Sequence, residues 1–274
     1  MAIRTGSSTD RGTPARGELF LNTETSKLEV GDGSGWWATD LRQITNLNGG
    51  GGDARFPADV INLKSWKVTL PVKDGDKILE VKQPKLATFK HDSFFAVNAA
   101  GNGIRFRVFH GGATTSGSKN PRSELREMRA DGDEAKWSIG SGTHSMEVRG
   151  QVNRLTKVKP HVVIGQIHGG SDDVTVWRVE GKSLFITKGD DNHAHKVTDD
   201  FELGTEYTIK FEVADGKVRY RFNGDLVPFT LSSSASTCYF KAGNYLQSNP
   251  TSAPSESTSE FAEVEILALK VTHS

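Results

Sequence analysis

The chain has a single cysteine, Cys238, among 274 residues, which excludes an internal disulfide. Its place on the apolar side of a YFKAGNY segment predicts a small buried hydrophobe and not a nucleophile. No stretch approaches the roughly 20 apolar residues of a helical membrane span, and the opening MAIRTGSSTDRG has no apolar core of a secretory signal, so classical export is not expected. Bulk charge is missing as well. With 34 basic against 34 acidic side chains there is no overall field to attract nucleic acid or an anionic membrane, so affinity for an anion has to be local. Helical periodicity is nearly absent.

What is present is short alternating strands. Period-two runs such as HSMEVRGQV, DVTVWRVEG, KSLFITK, YTIKFEV, KVRYRF and FAEVEILALKV are separated by turn signals, which predicts an all-β sandwich or barrel. The Ala214-Asp215-Gly216-Lys217 and Val179-Glu180-Gly181-Lys182 segments read as hairpin turns. Segments 231–237 and 248–259, rich in Ser, Thr and Pro, read as loops, as do 111–120 and 189–196. Four consecutive glycines, Gly49 to Gly52, mark a linker over 48–55 between a small module, 1–47, and a large domain, 56–274. In the small module Leu19 and Leu21 face Leu28 and Val30 across turn residues, a hairpin pattern. So little core predicts that Trp36 and Trp37 are covered by another copy of the chain or a neighbouring domain.

Three distant stretches place polar, charge-complementary side chains at every second residue. They are Arg122, Glu124 and Arg126; Gln166 and His168; and Tyr239, Lys241, Tyr245 and Gln247. Alternation on a strand puts each set on one face, while Ser123, Leu125, Ile167, Phe240, Ala242 and Leu246 point into a core. Guanidinium, ammonium, amide, imidazole and phenol groups together suit an acidic ligand and a proton transfer beside it. For the first stretch alone, a solvated ion-pair ladder explains the residues equally well. His144, His161, His193 and His195 raise the question of a metal, with His193 and His195 on one strand face, but no third ligand follows at convincing spacing, and neither metal nor cofactor is expected.

Taken together, PRSELREM at 121–128, GQIHGG at 165–170 and YFKAGNYLQ at 239–247 resemble, in order and without a departure, the three signature blocks of the alginate lyases of polysaccharide lyase family 7. The resemblance covers about residues 56–274. It implies a β-jelly-roll sandwich with a concave substrate groove, and cleavage of alginate or a related polyuronate by β-elimination: loss of the C5 proton and expulsion of the C4 oxygen, leaving an unsaturated uronate end. Because the sugar carboxylate opposes a carbanion beside it, donors must sit where charge develops. The resemblance gives this part to Arg122 and Gln166, the base to His168, and the proton on the leaving oxygen to Tyr245, which also serves as base when base and leaving group share one side of the ring. Arg126, Lys241, Tyr239 and Gln247 are then substrate-binding. Glu124, grouped with them, is expected to hold its two flanking arginines in place. The QIH form of the middle block leans toward guluronate.

From Arg11 to Trp37 the small module resembles N-terminal modules of phage tail fibres and tropism determinants. That resemblance implies virion attachment or a homo-trimer, with extracellular action reached by host lysis and not through a signal peptide. Two other readings compete. A glycoside hydrolase needs paired carboxylates, but those near the motifs are flanked by arginines, which spoils a general acid. A non-catalytic acidic-polysaccharide-binding module of a phage fibre needs the same polar face without turnover.

Overall fold

A computed structural model of the chain describes residues 4–7, 9, 12, 13, 19–22, 27–31, 36–39 and 54–274. The chain parts into two compact units, Met1–Asp53 and Ala54–Ser274. In the first, β1 (Arg4–Gly6), β2 (Leu19–Asn22), β3 (Lys27–Gly31) and β4 (Trp36–Thr39) form one sheet in that order. β2 and β3 are antiparallel, with Leu19 opposite Val30 and Leu21 opposite Leu28, and Phe20 and Asn22 are buried. The turn at 23–26, the Gly49 to Gly52 linker and the side chains of Trp36 and Trp37 lie outside the described residues.

The second unit stacks two sheets. One has the order β17 (Asp225–Ser232), β16 (Lys217–Phe222), β15 (Glu206–Ala214), β10 (His144–Arg154), β19 (Phe261–His273), β8 (Ile104–Phe109) and β7 (Phe95–Val97). The other runs β14 (Asp191–Thr198), β13 (Ser183–Lys188), β12 (Asp173–Glu180), β11 (His161–His168), β18 (Tyr239–Leu246), β9 (Arg122–Glu127), β5 (Trp66–Asp74) and β6 (Lys77–Val81). All pairings inside these two sheets are antiparallel, and their inner faces share one core containing Trp177, Tyr220, Phe211, Phe240, Phe106 and Leu125. Every predicted run is a strand. The Asp215-Gly216 turn takes the left-handed conformation at both residues, φ 53° and 72°, as a tight hairpin of this type requires.

Two loop expectations need correction. Leu231 and Ser232 close β17, and 191–198 is the edge strand β14. An edge strand with little core behind it needs no apolar alternation, and β14 is exposed or half-buried along its length. Register shifts within β14 also turn its two histidines apart: His193 reaches Glu180, whereas His195 stacks on Phe229 of the other sheet. They do not share a face.

Buried polar groups lock the strands that matter for the site. Asn244 of β18 donates to the carbonyls of Phe106 (3.1 Å) and Ala262 (2.9 Å) in the opposite sheet, and Tyr220 donates across the core to Thr175 (2.9 Å). Gly243 has φ 143°, and a Cβ there would stand 2.7 Å from the Ser123 carbonyl oxygen, so only glycine lets β18 lie this close to β9. Cys238 is fully buried, and burial pushes its thiol up to about 11, which removes it from nucleophilic chemistry.

Candidate active site

The register of β9, β18 and β11 gathers the three predicted stretches on one polar face. Tyr245 lies opposite Arg122, Gly243 opposite Glu124, and Lys241 opposite both Arg126 and Gln166; His168 lies opposite Tyr239. Directly opposed residues of an antiparallel pair point the same way. The intervening Ser123, Leu125, Ile167, Phe240, Ala242 and Leu246 are buried in the core.

Glu124 is the hub. Only 1% exposed, it takes the Lys241 ammonium at 2.6 Å and an Arg122 N–H at 3.1 Å on one oxygen, and a short hydrogen bond from the Gln166 amide on the other. Burial pushes its carboxyl up, but the Lys241 and Arg122 charges and these hydrogen bonds outweigh that, and its pKa lies below the ordinary carboxylate value. Lys241 answers differently. Burial and the like charges of Arg122 and Arg126 beat the pull of Glu124 and bring the ammonium down to about 8. The neighbouring arginines explain the difference, since their charge favours the Glu124 anion and opposes the Lys241 cation.

The expectation that Glu124 holds both flanking arginines is met only at Arg122. Arg126 instead pairs with Glu134 at 2.7 Å and lies over the Tyr239 ring, 3.9 Å from its centroid. With both oxygens engaged beneath the surface, Glu124 positions its neighbours and has no oxygen directed at a ligand. Glu134 also meets Lys67, which pairs with Glu80, so four cations, Arg122, Arg126, Lys241 and Lys67, face three carboxylates, Glu124, Glu134 and Glu80, which leaves one positive charge to be matched by an anion.

His168 lies beside Tyr239 on this face, and Tyr245 beside Arg122. The His168 ring stacks on Tyr239 at 5.0 Å and donates from Nδ1 to the Gly169 carbonyl at 2.6 Å, so its Nε2 lone pair is the free one. Burial, with Lys241 and Arg122 nearby, lowers its pKa below the ordinary histidine value, against the opposite pull of the Gly169 carbonyl and Glu124. Tyr245 lies under Arg122, whose guanidinium carbon is 3.8 Å from the ring centroid, and its hydroxyl is 2.9 Å from that of Ser118. Gln247 accepts from Arg178 at 3.0 Å.

Several polar residues of the face were missed. Lys67 and Thr69 alternate on β5 beside Arg126 and Glu124 and both bond Glu80, a signal readable in WKVTLPV; Ser118 and Glu134 come from loops and carry no such signal. Of the four histidines considered for a metal, His161 and His193 both approach Glu180, at 3.4 and 3.0 Å, whereas His144 bonds His273 and His195 stacks on Phe229. Among the described residues no group of three or more His, Cys, Asp and Glu is arranged to hold a metal ion.

An antiparallel two-sheet sandwich with a cationic outer face bearing an imidazole and a phenol is the architecture of a jelly-roll protein that handles acidic polysaccharide. The alginate lyase family model matches residues 61–273, and the chain belongs to that family. It is similar to the crystal structure of an alginate lyase from Corynebacterium sp., with 48% identity, a TM-score of 0.78, and coverage of 81% of this chain and 100% of that one. A second solved alginate lyase, from polysaccharide lyase family 7, is 45% identical with a TM-score of 0.75 over 80% of this chain and 99% of its own. A family 7 alginate lyase in complex with the substrate GGMG is 26% identical, with a TM-score of 0.67 over 80% and 97%. A curated alginate lyase of Klebsiella pneumoniae is 28% identical over 43% of this chain, which spans about half, 47%, of that relative's length.

One consequence is local to Arg126. Because it touches no proton-transfer group, Arg126→Ala should raise KM for polymer on the order of tenfold, as for loss of a charge-assisted hydrogen bond, with kcat nearly unchanged. Steady-state kinetics on alginate checks it. A fall in kcat with KM constant contradicts a binding role.

Proposed function

We propose that this chain cleaves alginate or a closely related polyuronate by β-elimination. The uncompensated positive charge between a neutral His168 and the Tyr245 hydroxyl carries the reading. A uronate carboxylate matches the charge excess, held by Arg122 and the second N–H of Gln166, whose first N–H is fixed by Glu124. His168 Nε2 takes the C5 proton, or Tyr245 does where geometry demands the same side as the leaving oxygen. Tyr245 then protonates the C4 oxygen. Arg126, Tyr239, Lys241 and Gln247 line the path of the polymer. A glycoside hydrolase fits poorly, since Glu124 is kept ionised by its neighbours and offers no proton.

Mixing the protein with alginate should raise absorbance in the ultraviolet band of an unsaturated uronate. Binding without that rise, across mannuronate, guluronate and glucuronate polymers, supports the non-catalytic fibre module instead. The pH profile of kcat/KM should have an acid limb below about 6.5, the ordinary histidine value that His168 undercuts. Its alkaline limb should fall near pH 8, where Lys241 loses its proton. A rate rising steadily through pH 9 to 10 rules out a need for the Lys241 cation.

We also read the N-terminal module as an attachment or trimerisation device of a virion-borne depolymerase, on its resemblance to phage-fibre modules. Light scattering of the full chain against residues 54–274 tests this. Equal monomer masses refute the trimer.

A further inference from the structure

Beyond the catalytic residues the same face carries a second cationic cluster. Arg178 of β12 is opposite Val163 of β11, which is itself opposite Tyr245, so it lies two strand spacings, about 10 Å, from Tyr245. We propose that Arg178, Lys159 and His161 form a second carboxylate site, which holds the third uronate along the chain from the bond being cut. The inference rests on the lyase reading for its ligand but not for its geometry.

Arg178 is 6% exposed and built into the sheet. Its Nε donates to Glu180 at 2.5 Å, one terminal nitrogen to Gln247 at 3.0 Å, and the other to His161 Nδ1 at 3.1 Å. A guanidinium has five N–H groups, so two stay uncommitted. His161 accepts on Nδ1 and so carries its proton on Nε2. Burial first, then the charges of Arg178 and Lys159, pull it down to about 4 against the attraction of Glu180, and it is a neutral donor across the working range. Lys159 has no ion pair among the described residues. Burial and Arg178 lower its pKa, with Glu180 opposing.

The charges do not cancel. Two cations, Arg178 and Lys159, face one carboxylate, Glu180, which also receives the His193 Nε2 at 3.0 Å. One anion is missing from the cluster. Gln247 ties it to the catalytic end, because its amide bonds both Arg178 and the Tyr245 carbonyl (3.3 Å). A polymer lying across the strands from Tyr245 would bring that third carboxylate over Arg178, whereas a short oligomer ending at Tyr245 would not reach.

The test compares an alginate trisaccharide with an octasaccharide, by kinetics and by calorimetric binding, in wild type, Lys159→Gln and Arg178→Gln. Expected is a loss of about tenfold in KM and in affinity for the octasaccharide, with trisaccharide values and kcat unchanged. Equal losses for both lengths, or none for either, overturn the site. Should Arg178→Gln fail to fold, the half-exposed Lys159→Gln decides alone. Wild-type binding without turnover sinks the lyase reading yet leaves the calorimetric comparison intact, so the two failures are distinguishable.

Discussion

Tyr245→Phe should lower kcat by about 10²–10⁴-fold while polymer affinity changes little, because the substitution removes the proposed proton-transfer hydroxyl and keeps the ring. The phenyl ring still packs under the Arg122 guanidinium, 3.8 Å away, so the stacking that holds Arg122 over β18 persists. Only the hydroxyl and its 2.9 Å bond to Ser118 disappear. Since that bond lies on a half-buried loop contact and not in the core, the fold should be intact, with thermal unfolding close to wild type. Turnover is followed by ultraviolet absorbance and affinity by calorimetry on the same preparation. A variant keeping more than about a tenth of wild-type kcat moves the acid role elsewhere, given that general acid-base groups contribute at least a hundredfold. Loss of affinity together with rate would instead mean that the hydroxyl binds substrate.

The parts of this site legible in the sequence are those that obey period two. Arg122, Glu124 and Arg126 alternate, as do Tyr239, Lys241, Tyr245 and Gln247, and the parity survives the passage through Gly243. What alternation does not reveal is which strands pair and where they slip. A register shift between Val163 and Gly165 places Val163 opposite both Tyr245 and Arg178, and nothing in HVVIGQIH announces it. For the same reason Arg178, inside a run that reads as an ordinary strand, gave no sign of facing Gln247. Partners supplied by loops are further out of reach: Glu134 takes Arg126 from Glu124 by tertiary geometry alone. The strand β14 was hidden by its position at an edge, where polar residues on both faces cost little. Burial of Phe240 and Leu125 was readable, because a core position demands an apolar side chain whatever its partner.

Glu124→Gln should be the most disruptive conservative change in the molecule. Glutamine nearly matches the shape but supplies no charge, so Lys241, 7% exposed, and Arg122 lose the carboxylate that bonds them both. Breaking a buried ion pair from one side costs about 3–5 kcal/mol, since the orphaned charge has no water to turn to. A lower thermal midpoint is the first readout. The second is more specific: Glu124 is the main influence that raises the Lys241 pKa, so without it the ammonium should drop further below about 8, and the alkaline limb of kcat/KM should move acidward. Gln166 is affected too, as its amide would meet another amide in place of a carboxylate oxygen, and the N–H proposed to meet substrate loses its anchor. A structural role alone would lower the midpoint but leave the pH profile where it was. If Glu124→Gln melts like wild type and keeps its alkaline limb, the carboxylate does not organise the cations, and the electrostatic basis for carbanion formation has to be sought in the arginines by themselves.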